Sequence, residues 1–510
     1  MSIKEKVEKR IRECQKNESE NQPEKIDSNF VMKCLPKNVV GDALIFIKLF
    51  RDKFIFNVTM NLWLYWVAHH WDIDKEGRAL DAVKSVAEIY FREAKKISEK
   101  IRSLKDDDPA EKKLKADRKA LNNRGFALLD VPRALRCLML AHTGANGLVA
   151  TGDEFDQKPN LFPCSNGVIN LELGVLEDGR PSDYLLKHSP VEWAGINAPA
   201  PIFKKTISAI LSGNQLLIKY LQKIFGLSLI GAVVLHKLIV MIGKGRNGKT
   251  LLMEIISAIL GTLCRSIRPE VLLDQGRVAN PSGASPEIMA MRGARILIAS
   301  ETDENCRISS PRVKFFTGGD KMVGRGPYDR FDQEFEPNHT IFLLSNHKPH
   351  APADDFAFWE RIILIPFEVS FVDREPKNEN ERRANPNLKN ELEKELPGIL
   401  AWMVRGCLEW RETGLEAPGI VKEAVEEYRR DEDIIADFID DCCVTRPECS
   451  VLATDVYTAF KQWWISNVSN KPPSQNKFGR WFTKRFEKRK TPDMKYFGVG
   501  LVNTSQMFQD

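Results

Sequence analysis

From Lys237 onward, short apolar runs alternate with segments of helical spacing. The runs are KLIVMI (237–242), ARILIAS (294–300), TIFLLS (340–345) and RIILIPF (361–367). Unbroken apolar strands of this kind belong in a sheet covered on both faces, since a half-solvated strand would alternate. With helices between them they predict a three-layer α/β core. Upstream the pattern differs. Residues 1–29 are rich in Lys, Glu and Asn and read as a flexible charged tail. From Phe30 to Tyr90 the chain is aromatic, with Trp63, Trp66 and Trp71 among β-type residues, which predicts a small mixed unit. Ala94–Lys119 reads as a charged helical stretch broken near Pro109, with a solvated face. Phe162–Gly179 predicts a hairpin, because Asn-Gly and Asp-Gly are turn dipeptides between apolar alternations. Pro201–Ile230 has helical periodicity, and the last 80 or so residues predict a separate α+β unit. The divisions fall at 1–29, 30–200, 201–236, 237–372, 373–430 and 431–510.

Composition narrows the function classes. Hydrophobic residues make up 43% of the 510, which excludes global disorder. Lys+Arg 75 against Asp+Glu 70 leaves a net charge of +5, so any basic surface must be local. The ten cysteines form no C-x-x-C pair, which argues against a zinc module and for reduced thiols in a cytosol-like compartment. MSIKEKVEKR lacks the apolar core of a secretory signal. Gly226–Gly243, the greasiest stretch, is interrupted by His236 and Lys237 and reads as a helix end plus a buried strand rather than a membrane span.

GKGRNGKT follows the first apolar run and precedes the helical LLMEIISAIL. The spacing G-x-x-x-x-G-K-T between strand and helix is that of a phosphate-binding loop. Gly243, Gly245 and Gly248 let the backbone of Gly243, Lys244, Gly245, Arg246, Asn247 and Gly248 turn N–H groups toward phosphate oxygens. Lys249 would neutralise the terminal phosphates and the Thr250 hydroxyl would complete a Mg²⁺ shell, so ATP and Mg²⁺ are the expected cofactors. Hydrolysis also needs a carboxylate, and Glu301, directly after ARILIAS, stands at a strand's C-terminal end where such sheets bind ligands. Asn346, after TIFLLS, is placed to orient water; Arg361, before the last run, is a candidate arginine finger.

Taken in order, GKGRNGKT, ILIASETDEN, the TGGD-bearing VKFFTGGDKMVGRGPYDRFDQEFEP, FLLSNHKP and DDFAFWERIILIPF resemble a superfamily 3 helicase of the phage and plasmid primase-helicase type, related to the poxvirus primase-helicase. The resemblance spans about residues 40 to 510. It implies an AAA+-type P-loop core after an N-terminal helicase-associated domain and a helical collar, with a helical lid and a C-terminal winged-helix domain behind it. It also implies Walker A at Gly243–Thr250, a metal-organising acid at Glu301, sensor 1 at Asn346, a DNA-tracking hairpin between Asp320 and Phe335, and a trans-acting Arg361. Relatives assemble as hexameric rings and unwind with 3′-to-5′ polarity. Two departures stand out. Glu360 precedes Arg361, where the family often has paired arginines. The roughly 40 residues ahead of the resemblance are too few for a primase domain, so priming would come from a separate primase or polymerase.

Two segments are candidates for DNA contact. In GDKMVGRGPYDRF, Lys321, Arg325 and Arg330 could hold phosphates and Tyr328 could stack on a base. KFGRWFTKRFEKRK (477–490) predicts a helix with Arg480, Lys484 and Lys488 on one face and aromatic residues opposite, followed by a hairpin at 494–502. That pattern suggests a winged helix-turn-helix. The expected activity is thus ring-forming, ATP-dependent DNA unwinding for replication of a phage, plasmid or integrated element, in the cytoplasm of a bacterium or infected host and without a membrane partner. The rivals are an ATP-regulated origin-binding initiator and a small-molecule P-loop kinase.

Overall fold

The computed structural model describes residues 26–104, 108–274, 285–300, 306–326, 332–468 and 470–502. The aromatic region folds as a mixed unit. Strands Phe54–Asn57, Leu62–Val67 and His70–Ile73 form an antiparallel meander, and Val149–Ala150 adds to the first in parallel. Helices Val39–Phe50, Val83–Arg102, Ala110–Leu128 and Val131–Ala141 pack beside it around Phe46, Val86 and Tyr90. Pro109 immediately precedes the third of these, where its missing N–H costs nothing. At the centre lies buried Asp42, which accepts from Tyr90 (2.9 Å), Arg124 (3.0 Å) and Arg133 (2.8 Å). One carboxylate thereby ties four helices, and losing either arginine would leave a buried charge underpaired.

The Asn-Gly turn forms, joining Leu161–Cys164 to Gly167–Asn170, and Val175–Glu177 completes a three-stranded sheet. Asp178-Gly179 instead leads out of the last strand, so the second turn falls at 171–174, ending on Gly174 (φ 68°).

The α/β core is a five-stranded, all-parallel sheet: β1 (Leu238–Ile242), β2 (Cys264–Ile267), β3 (Ile296–Ser300), β4 (Thr340–Ser345) and β5 (Ile362–Pro366), in the order β5-β1-β4-β3-β2. Four of them are the apolar runs of the sequence. The fifth, β2, is an edge strand with Arg265 and Ser266 exposed, so it shows no apolar run. Helices Pro201–Ile210, Gln215–Leu227 and Leu396–Thr413 cover one face together with α1 (Lys249–Leu260). The collar and the lid segment share that layer rather than standing apart. A Cβ on Gly226 would overlap the Cys407 backbone, and one on Gly406 the Gln222 carbonyl, so the two long helices meet backbone to backbone. Glu395 accepts from the N–H groups of Ile202 (3.0 Å) and Phe203 (2.8 Å), capping the helix that begins at Pro201.

Buried Arg295, just before β3, locks the upstream hairpin sheet onto this core. Its guanidinium donates to the carbonyls of Leu229 and Leu161 and lies over the Phe162 ring at 5.4 Å.

The C-terminal unit has helices Ile434–Cys442, Ala453–Asn467 and Gln475–Phe482 on an antiparallel sheet of Cys443–Leu452, Glu487–Thr491 and Asp493–Leu501. The predicted helix over 477–490 is corrected: it ends at Phe482, and Glu487–Thr491 is a strand of the terminal hairpin, which turns at Pro492. The aromatic stripe Phe478–Phe482 is satisfied within two turns, and Phe486 then packs on Phe482 across the bend. Among the described residues no helix is long and apolar enough to cross a membrane.

Candidate functional site

The loop from Gly243 to Gly248 joins β1 to α1 at the C-terminal edge of the sheet. Gly245 (φ 50°), Arg246 (φ 48°) and Gly248 (φ 84°) all adopt left-handed backbone, which glycine accepts without a Cβ penalty and Arg246 does not. A Cβ on Gly243 would collide with the Asn247 amide and the Phe367 carbonyl. Lys244, Arg246 and Thr250 are exposed, whereas Asn247 is buried, its amide 3.5 Å from the Phe367 carbonyl. The loop is also held from outside. Phe371 donates its backbone N–H to the Arg246 carbonyl at 2.7 Å, and the Arg246 guanidinium pairs with Asp373 at 2.9 Å. Neither partner is legible in the sequence, because Phe371 sits in a strand of only three residues, Ser370–Val372, and Asp373 lies just beyond it.

Lys249 opens α1 and is buried, 4% exposed. Its ammonium donates to the Gly243 carbonyl (2.5 Å) and to Asn346 Oδ1 (3.4 Å). Residues 97 apart in sequence thus meet at one point, since β4, which delivers Asn346, lies beside β1. Both acceptors are neutral, and among the described residues no carboxylate pairs with Lys249. Burial accordingly pushes the ammonium down to about 8. A buried cation facing only amide oxygens is a donor set suited to phosphate.

Glu301 lies outside the described residues, as do the neighbouring acids Asp303 and Glu304. The strand ahead of Glu301, β3, ends at Ser300 beside β4. Arg361 precedes β5 at the opposite end of the sheet, about 16 Å of strand from the loop. It donates to the Ala357 carbonyl at 2.9 Å, and its Nε is buried without a partner. The fold therefore does not bring Arg361 to Lys249 within one chain.

Of the hairpin residues, Tyr328 and Arg330 lie outside the described residues. Met322–Gly324 pairs with Gln333–Phe335 as expected for a hairpin base. Lys321 approaches Glu334 (3.8 Å) and Arg325 approaches Asp332 (3.9 Å), long contacts between side chains that remain solvated. In the C-terminal unit Arg480 is on the helix, Lys484 is in the bend paired with Asp354, and Lys488 is on the strand with its ammonium 5.3 Å from the Tyr496 ring centre. They do not share one helical face.

A family model described as "D5 N terminal like" matches residues 43–212. A protein of Acanthamoeba polyphaga mimivirus named "Putative helicase" is 28% identical over 334 residues, covering 62% of this chain and 34% of that protein. A "Putative helicase" of Frog virus 3 is 23% identical over 388 residues, covering 62% and 40%. A "Putative primase" of African swine fever virus is 22% identical over 337 residues, covering 62% and 34%. Residues 43–212 are thus similar to the D5 N-terminal family, and the chain is similar to viral proteins named as helicases and primases. It spans a little over a third of the length of these curated relatives. The D5-like match ends at 212, before the sheet, so the loop from Gly243 to Gly248 lies outside it. The solved apo structure of the NrS-1 C terminal region is similar over 90% of this chain and 99% of that one, at 12% identity and a TM-score of 0.48.

Proposed function

We propose that this chain is the motor of a ring-forming, ATP-dependent DNA helicase of superfamily 3, an AAA+-type P-loop enzyme that acts in replication. The observation that carries the reading is the meeting of Lys249 and Asn346 at the sheet's C-terminal edge, in a loop with three left-handed residues. ATP would lie along Gly243–Thr250, with Lys249 on its terminal phosphates. Thr250 and Glu301 would hold Mg²⁺, which offsets phosphate charge when bound. Asn346 is placed to orient the attacking water. Arg361, at the far end of its own sheet, can serve only a phosphate bound by another subunit, which favours a homo-oligomeric ring such as a hexamer. The 320–335 hairpin would track a single strand in the channel. The C-terminal unit, three helices with a terminal hairpin, has the make-up of a winged helix for duplex DNA.

The test is ATP turnover with and without single-stranded DNA. Wild type should be stimulated, and Lys249→Ala should lose about 10²- to 10³-fold or more, the scale of removing one transition-state donor. Turnover that survives the substitution sinks the site. Unwinding of a tailed duplex separates a helicase from an initiator that binds an origin and stops there.

A further inference from the structure

Between the N-terminal unit and the α/β core lies a cleft of about 310 Å³. Its walls come from the ends of two N-terminal strands, the edge strand β2, the end of the helix Pro286–Met291 with the turn after it, and the segment 333–338, which begins with the hairpin's return strand. The volume is at the lower end of the ~300–1,000 Å³ typical of small-ligand sites.

Three cations converge there. Burial pushes the Lys187 ammonium down to about 8; Asp156 opposes the shift, while Arg265 and Arg292 reinforce it. Neither the Lys187 ammonium nor the Arg265 guanidinium is closed by a hydrogen bond or ion pair to a described residue. Arg292 is engaged structurally. It donates to Gln333 Oε1 (3.0 Å), the Gly152 carbonyl (2.9 Å) and Asp153 (2.9 Å), so it fastens the hairpin's return strand to the N-terminal unit. The opposing acids do not cancel this charge. Asp156 is committed to the N–H groups of Leu186 (2.9 Å) and Lys187 (3.2 Å) and its pKa is raised by burial; Glu336 lines the cleft but is exposed.

We propose that this cleft is a second phosphate-binding site, in which Lys187 and Arg265 hold a nucleotide unit of the strand that the 320–335 hairpin contacts. The inference rests on the DNA reading above and deepens it. Two cations that no described ion pair closes would gain charge-assisted hydrogen bonds from a phosphate. Because Arg292 fixes the hairpin to the same wall, a nucleotide seated here would be sensed by the hairpin's base.

The experiment titrates a fluorescent oligo-dT into the full chain at several salt concentrations, without ATP. Arg265→Ser and Lys187→Gln should each weaken binding and flatten the slope of log K against log salt by about 0.7 per lost contact. Thermal melts confirm folding, Arg265→Lys should restore most of the affinity, and DNA-independent ATP turnover should be unchanged. A parallel calorimetric arm uses dTMP. Loss of dTMP binding with unchanged oligonucleotide affinity keeps the phosphate site and assigns it to a free nucleotide. Unchanged binding of both probes in both folded variants overturns the proposal. A wild type without ATP turnover would defeat the motor reading while leaving this ATP-free titration readable.

Discussion

In β1, β3, β4 and β5 almost every side chain is buried, so each strand has an apolar layer on both sides. The strands Cys443–Leu452 and Glu487–Thr491 of the C-terminal unit expose most of theirs. That unit is held instead by one cluster of rings. Phe478 sits between Phe460 (4.4 Å) and Phe482 (5.0 Å), with Phe438 at 6.1 Å. The core sheet is therefore rigid where it presents Lys249 and Asn346, while the C-terminal unit carries its basic residues on a scaffold with one thin core. A site that must hold a phosphate to within fractions of an ångström needs the first kind of support; a surface that follows a polyanion needs only the second.

The sharpest way to break this comparison is to empty the ring cluster. Phe478→Ala should cost about 3–5 kcal/mol of the C-terminal unit's stability, by lost transfer and cavity terms together. DNA-independent ATP turnover should survive, because no residue of the loop touches that cluster. Thermal unfolding followed by tryptophan fluorescence, run beside an ATPase assay, checks both halves. Joint loss of turnover would mean that the two regions are one cooperative unit.

The converse substitution is Gly243→Ala. The added methyl meets the Asn247 amide and the Phe367 backbone, neither of which can retreat without moving β5 or the loop. A cost of about 1–3 kcal/mol is expected from overpacking, read as a lower urea midpoint at unchanged m. ATP affinity should fall with it, whereas oligonucleotide binding by the C-terminal unit should not.

The same contrast explains what was legible beforehand. Strands buried on both faces announce themselves as apolar runs, so β1, β3, β4 and β5 were found within a residue or two. Strand β2 was missed because an edge strand with Arg265 and Ser266 in water carries no such run. The helix over 477–490 was overextended because the basic residues keep helical spacing past Phe482, and charge spacing alone does not resist a bend. That Lys249 and Asn346 stand at one edge of the sheet was expected from motif order, but the hydrogen bond between them was not. The clamp of Phe371 and Asp373 on Arg246 was not readable, since three-residue strands leave no periodic trace.

The smallest expected effect is also the most direct probe of the loop's electrostatics. Without ligand, the Lys249 ammonium has a pKa of about 8, lowered from 10.5 by burial. A triphosphate would favour the charged form and return that pKa toward or above its ordinary value. Below pH 8 the lysine is protonated with and without ligand, so affinity should be flat. Above pH 8 the free protein is losing the proton that the complex retains, so binding must take one up. Affinity should then fall about tenfold between pH 7 and pH 9, or about 1.4 kcal/mol. Calorimetry of a non-hydrolysable ATP analogue at pH 8.5, in buffers of different ionisation enthalpy, should show proton uptake in wild type and none in Lys249→Ala. Equal uptake in both would place the titrating group elsewhere and remove the reason for reading Lys249 as the phosphate's counter-charge.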